Sequence, residues 1–420
     1  MQVTSESLRS ERLSINSLKD PAMNTHQPSR RLVLSRSAAL IGAAASGALL
    51  PALSLAQTGK VRVGLMLPYT GTYAALGVAI ENGFRLAVDE QGGKLGGREI
   101  EWFKVDDESD PSKAVENANK LVQRDKVDVL IGTVHSGVAM GMLKVARESG
   151  TLLIIPNAGV NAATGALCAP NIFRTSFTSW QTSYPLGKVL VDRGHKNVVT
   201  IAWQYAFGEE SVAAFSEGLT KAGGKVIKEL WVPFPNVEFQ AQLTQIAALK
   251  PDAVYTFFAG AGAAKFVKDY AAAGLKGKIP LFGSGFITDG VLEAQGAAAE
   301  GLETTLHYGD GLETPRNNAF RLAYAKAYKL QPDVYAVQGF DAGLLYASAM
   351  KAVKGNTANK PALIAAMEKV KVDSPRGAWT LSRAHNPVQN IYLRKVVGNE
   401  NRVTGIAAKA LADPAPGCKL

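Results

Sequence analysis

From Val61 onward the chain alternates short apolar runs with longer stretches of helical spacing, and this alternation restricts the fold most. The runs are VRVGLML (61–67), REIEWFKV (98–105), VDVLIG (127–132), TLLIIP (151–156), NVVTIAW (197–203), KVIKELWV (225–232), DAVYTFF (252–258), KIPLFG (278–283) and GLETTLHY (301–308). Between them lie segments such as AALGVAIENGFRLAVDEQGG, where Ile80, Phe84, Leu86, Ala87 and Val88 supply an apolar face. Pro111 fits the first turn of another helix, with Asp110 as its N-cap. Strands alternating with helices at this spacing predict right-handed βαβ units and parallel sheets. About nine strands exceed one open sheet, so the expectation is α/β with two doubly wound lobes.

With 47% hydrophobic and 20% charged residues, the chain of 420 residues has ample material for two cores. The formal charge is +10. Residues 1–56 hold six cations and three acids, net +3, leaving +7 for the rest. Those cations are scattered among acids at helical spacing, which is a solvated surface and not the concentrated patch of a nucleic-acid binder.

Residues 29–57 have the order of an export signal. Arg30 and Arg31 precede a weakly apolar stretch from 38 to 50, and Ser54-Leu55-Ala56 offers a small-x-small cleavage site. The stretch is too short and too poor in large side chains for a lasting membrane span. The paired arginines fit twin-arginine export, with the general secretory route as the alternative. Met23 would give the leader an ordinary length, and translation is expected to start there. Cleavage after Ala56 would deliver the protein to the periplasm. The two cysteines, Cys168 and Cys418, form no C-x-x-C motif. In an oxidising compartment a Cys168–Cys418 disulfide is expected to tie the tail, 413–420, to a loop; two free thiols are the alternative.

In parallel sheets ligands bind beyond the carboxyl ends of the strands, against helix N-termini. Small and hydroxyl residues follow the first strands: Tyr69 and Tyr73 after 61–67, Thr133 to Gly137 after 127–132, Ala158, Gly159 and Asn161 after 151–156. Aromatic residues dominate the second set: Tyr205, Phe207, Phe257 and Phe286. The stretch GTVHSGVAMG poses a choice between a nucleophile and a cradle. A nucleophile elbow wants G-x-S-x-G, and adjacent His and Ser side chains point apart in an extended segment, so His135 does not serve Ser136. At a strand-to-helix turn, free N–H groups favour an anion. Ser136 adds a hydroxyl, and Gly137 permits close approach of a ligand. No set of base, nucleophile or metal ligands emerges, so neither an enzyme nor a metal or cofactor is expected.

VGLMLPYTGTYAALG, DDESDPSKAVENANKLV, DVLIGTVHSGVAMG, PNAGVNAATG, NIFRTSF and YAVQGFDAGLL, in that order, resemble the periplasmic solute-binding proteins of the branched-chain amino acid type, which serve ATP-driven importers. The resemblance runs from about 61 to 403. It implies two α/β lobes joined by a three-crossover hinge near 177–179, 308–311 and 378–382. The first lobe would take 60–177 and 310–378, the second 179–308 and 382–412. It also implies that the loops around Ser136 and Ala158–Gly159 hold the ligand carboxylate. Expected partners are the small-molecule ligand and inner-membrane permease and ATPase subunits, and a monomer is the family expectation.

Members specific for branched-chain amino acids carry an acid in the turn matching 283–286, where this chain has Ser284, Gly285 and Phe286. A buried ammonium without a carboxylate is costly. CAPNIFRTSF, with HSG and PNAG, further resembles the subgroup that binds benzoate-like carboxylates. An aromatic acid is therefore expected, held by Tyr69, Tyr73, Tyr205, Phe257 and Phe286, with Trp180 as a further ring. A branched-chain or other amino acid is the alternative. His135, Asn161 and Thr178 are candidates for ring hydroxyls. Asp341 is read as a helix cap, or as a contact near the hinge.

Overall fold

The computed structural model describes residues 59–420, so the export signal, its cleavage site and the Met23 start lie outside the described residues. The strands are β1 (Val61–Leu67), β2 (Ile100–Asp106), β3 (Val129–Ile131), β4 (Leu152–Ile155), β5 (Ile172–Arg174), β6 (Asn197–Gln204), β7 (Lys225–Pro233), β8 (Ala253–Phe257), β9 (Leu281–Ser284), β10 (Glu303–Leu306), β11 (Thr380–Leu381), β12 (Pro387–Val397) and β13 (Glu400–Leu411). The helices are α1 (Ala74–Glu90), α2 (Ala114–Asn119), α3 (Ser136–Ser149), α4 (Ser179–Asp192), α5 (Ala206–Lys221), α6 (Gln240–Leu249), α7 (Gly260–Ala272), α8 (Leu292–Gln295), α9 (Pro315–Tyr328), α10 (Val334–Ala352) and α11 (Lys360–Glu368).

The first sheet has five strands in the order β2-β1-β3-β4-β5, all parallel. The second runs β11-β12-β10-β9-β8-β6-β7, with β13 beside β12. Its strands from β6 to β10 are parallel, and β11, β12 and β13 add antiparallel pairs. Renumbered from their own first strands, both parallel sheets follow the doubly wound order 2-1-3-4-5. Such a sheet has its switch point between its first and third strands, here β1/β3 and β6/β8, and ligands bind there.

Four strands were not among the nine apolar runs. β5 has only three residues, and β11 only two. β12 alternates buried and partly exposed residues, and β13, exposed or partly so apart from Asn401, pairs with it around the two-residue turn Gly398-Asn399, a hairpin rather than an apolar run. Asp110 caps the turn ahead of α2 as expected, accepting from the Ser112 amide at 2.9 Å with Pro111 behind it.

Helix α10 comes back to the first sheet's half and packs on α1 at backbone distance. A Cβ at Gly83 would lie 1.9 Å from the Ala336 carbonyl, and one at Gly339 would lie 1.9 Å from that of Ile80. Any side chain at either position would force the helices apart. Asp341 lies mid-helix in α10, not at its start. It pairs with Arg376 at 2.9 Å and accepts from Ser374 at 2.9 Å. Asp333 is the N-cap, accepting from the Ala336 amide at 3.0 Å. Cys168 and Cys418 are joined, with Cα atoms 5.5 Å apart, so the tail after β13 is fastened to the loop after β4.

Candidate functional site

The two switch points face one another, and each brings different chemistry. At the first, β3 runs through Thr133 and Val134 into α3. His135 is the N-cap, and its Nδ1 accepts from the Gly137 amide at 3.1 Å. That acceptor role needs a neutral ring, and burial pushes the His135 pKa down to about 4, with Asp110 opposing weakly. The first residue of the helix, Ser136, is fully buried, and its hydroxyl has no protein partner among the described residues. The positive end of a 14-residue helix and an uncommitted hydroxyl thus coincide.

The neighbouring loop after β4 is held from behind. The Ala158 amide donates to the Thr133 carbonyl at 2.9 Å. Arg174, at the end of β5 and fully buried, donates to the Ala158 carbonyl and, at 2.7 Å, to the Val160 carbonyl. Burial lowers its pKa to about 10, opposed by Asp413 and Glu210, so it stays charged at neutral pH. Its remaining contacts go to Thr164 and Asn386, so it shapes the loop rather than meeting a ligand. Gly159 accepts from both the amide and the hydroxyl of Ser179, each at 2.8 Å. A Cβ at Gly159 would lie 2.4 Å from the Phe207 ring and 2.9 Å from Phe177. Glycine here lets the first wall touch the rings of the second.

Those rings fill the other side. Phe207 packs on Phe257 with centroids 4.4 Å apart, and Phe177 packs on Phe286 at 4.8 Å. Tyr205 stacks on His135 at 4.4 Å and meets the Tyr73 hydroxyl at 3.0 Å, two contacts that join the walls. Between them remains a cavity of about 20 Å³, lined by Tyr73, Phe177, Tyr205, Phe257, Phe286 and Tyr335 among others. That space holds a body no larger than a water. Among the described residues no Asp or Glu lines it. Asn157 is the polar amide of its lining, and behind it Asn157 donates to Gln338 at 2.6 Å and Gln338 meets His307 Nε2 at 3.4 Å. Burial, then Arg376 and Arg394, hold His307 well below the ordinary histidine range, so its ring is neutral.

The structure thus brings Tyr73, Tyr205, Phe257 and Phe286 to the cavity, with His135, Ser136, Ala158 and Gly159 at the loops that flank it. The other candidates sit elsewhere. Tyr69 lies under Lys104, 4.3 Å from ring centroid to ammonium, and its hydroxyl neighbours Glu81; it is not in the lining. Gly137 faces Pro111, 2.7 Å from where its Cβ would be, so its smallness serves helix packing and not ligand approach. The Thr178 hydroxyl is spent on α4, in a capping box with Gln181 and a bond to Asp413. Asn161 accepts from the Trp180 amide at 3.3 Å and donates its own amide to Glu210 at 2.8 Å, which fixes a loop. Trp180 stacks on Tyr184 and donates to Glu217 on an exposed face. Ser284 is buried at the end of β9 without lining the cavity.

Asn157, His307, Tyr335 and Gln338 were missed as site residues. The last two stand three apart in YAVQGFDAGLL, hence on one face of α10. That spacing was readable, but nothing in the sequence placed the helix start at the cavity.

A family model described as periplasmic binding protein matches residues 60–401. The Leu/Ile/Val-binding protein homolog 6 of Brucella melitensis is 30% identical over 357 residues, covering 82% of this chain and 90% of that relative. Among solved structures, the solute-binding protein of an ABC transporter from R. palustris in complex with benzoate is 54% identical, with a TM-score of 0.84 over 86% of this chain and 100% of that one. A second, from Rhodopseudomonas palustris BisB5 in complex with 3,4-dihydroxybenzoic acid, is 33% identical, with a TM-score of 0.80 over 84% of this chain and 99% of that one.

Proposed function

The chain belongs to the periplasmic binding protein family, and from that premise we propose that it is the periplasmic receptor of an ABC importer and binds an aromatic carboxylate between its lobes. The observation that carries the ligand class is the cavity itself. Aromatic rings make most of its wall, no Asp or Glu among the described residues lines it, and α3 begins beside it with an uncommitted Ser136 hydroxyl. A ligand ammonium would find no counter-charge there, whereas a carboxylate gains the helix start and a hydroxyl donor. The flat rings suit a flat apolar body. The R. palustris neighbours with benzoate and 3,4-dihydroxybenzoic acid support the same class.

The function is binding and handover, without bond making. The carboxylate docks at Ser136 and Gly159, and the second lobe then closes its rings over the ligand. A cavity of about 20 Å³ admits no benzoate while Tyr73 and Tyr205 touch, so the lobes part by hinge motion at the three crossovers. The lobes take 60–177 with 310–378, and 179–308 with 382–412. Membrane permease subunits, driven by their ATPase, take the ligand from the closed monomer.

A thermal-shift panel of benzoate, 4-hydroxybenzoate, phenylacetate, leucine and valine tests the reading. A ligand that binds only the folded state raises the midpoint by mass action. Stabilisation by aromatic acids alone is expected. Stabilisation by leucine or valine, and by no aromatic acid, would overturn the ligand class.

A further inference from the structure

Tyr335 stands out as a polar group that the carboxylate reading leaves idle. It is the second residue of α10, 1% exposed, and it lines the cavity. Its ring meets Phe286 at 6.2 Å, and its hydroxyl has no hydrogen-bond partner among the described residues. The other two tyrosines at the cavity, Tyr73 and Tyr205, bond to each other at 3.0 Å. A buried hydroxyl without a partner is costly, and native sites keep one only for a reason.

The groups around Tyr335 decide what kind of partner fits. Asp289 and Asp333 both lie near enough to raise its pKa, behind burial as the leading cause, and Arg394 lowers it. Neither acid is bonded to the hydroxyl. Asp289 pairs with Arg394 at 2.7 Å, and Asp333 caps α10 at the Ala336 amide. The guanidinium at this end, Arg394, is already taken up by Asp289, Thr304 and the Tyr308 carbonyl, so it offers no free charge to a ligand carboxylate. A ligand carboxylate is favoured at the opposite kind of environment, the start of α3. The partner for Tyr335 is then a neutral oxygen.

We propose that Tyr335 is a specificity-determining residue that recognises a hydroxyl on the ligand ring, so that the preferred ligand is a hydroxylated benzoate rather than benzoate itself. The inference rests on the aromatic-carboxylate reading and refines it. It also places ring-hydroxyl recognition at a residue other than His135, Asn161 and Thr178, whose Nδ1, Oδ1 and hydroxyl are committed to caps and loops. A site built around a hydrogen bond rejects the analogue that cannot make it, because its own polar group is then left unpaired.

The test is titration calorimetry of the purified protein and its Tyr335→Phe variant with benzoate, 3-hydroxybenzoate and 4-hydroxybenzoate. At least one hydroxybenzoate should bind the native protein about tenfold more tightly than benzoate, the effect of one buried hydrogen bond. In Tyr335→Phe that preference should shrink to about twofold or less, whatever the change in benzoate affinity itself. Equal binding of all three acids by the native protein overturns the inference and leaves the aromatic-carboxylate reading standing. A preference that survives in Tyr335→Phe overturns it too. No binding of any of the three removes both. The native ranking decides alone should the variant fold poorly.

Discussion

The two walls of the cleft solve different problems with the same topology. Both are the switch points of sheets with one strand order. The first wall offers backbone, a helix start and small residues, and its loop is braced by the buried Arg174. The second offers rings that pack on one another, Phe207 on Phe257 and on Phe286, with Phe177 of the first crossover against them. The strand order therefore fixes where a ligand sits, and the residues beyond the strand ends fix what it is. The first wall suits a charge, and the second suits an apolar face.

The largest expected effect comes from forcing the walls apart. Gly159→Val puts side-chain atoms where Phe207 lies, within 2.4 Å of the Cβ position. Ligand affinity should fall by a factor of about 100 or more, as when a close-packed contact is overfilled, while far-UV circular dichroism stays native. Unchanged affinity would show that the walls need not touch. Removing a ring from the second wall comes next. Phe257→Ala should weaken benzoate by about 2 kcal/mol, the scale of a buried aromatic contact, and a calorimetric titration reads it directly.

Buried groups around the cleft hold their protons in opposite ways. Burial pushes Asp333 up to about 7 and Asp289 up to about 6, the latter against the pull of Arg394. The native state keeps these protons at a pH where the unfolded chain has lost them, so stability falls as pH rises from about 4 towards 7 and beyond. His135, lowered to about 4, acts in the opposite sense. His307, also held low by burial, acts with His135, and both effects fade above about pH 7. Relative to Asp333→Asn, which keeps the cap, the native protein should lose about 1 kcal/mol of stability to urea between pH 6.5 and 8. A steeper fall in Asp333→Asn would contradict the assignment. The smallest effect is expected at Thr178. Thr178→Ala should cost about 1 kcal/mol of stability through the lost cap and change benzoate affinity by less than about twofold. A larger loss of affinity would return Thr178 to the site.

Much of this was legible in the sequence because strand and helix periods announce a parallel sheet, and a parallel sheet announces where its ligand lies. Tyr73, Ser136, Tyr205 and Phe257 follow strand ends closely, so local order places them in or beside the cavity lining. Tyr335 reaches the cavity, and Gln338 and His307 back its lining residue Asn157, by long-range packing of α10 and a crossover, which no local pattern encodes. Thr178 and Asn161 misled for the converse reason: they lie in the right loops, but capping and loop hydrogen bonds claim their polar atoms. Tyr69 follows the first strand as Tyr73 does, yet its ring turns outward to Lys104.

The central claim is that the first wall reads the charge and the second reads the ring. Benzoate and benzamide share the ring and differ in charge, so titrating both into the native protein and Ser136→Ala tests it directly. The native protein should prefer benzoate by about tenfold or more, and Ser136→Ala should lose about 1–2 kcal/mol of benzoate affinity with benzamide nearly unchanged. Equal binding of the two ligands by the native protein, or an equal loss of both in Ser136→Ala, would contradict the division of labour between the walls.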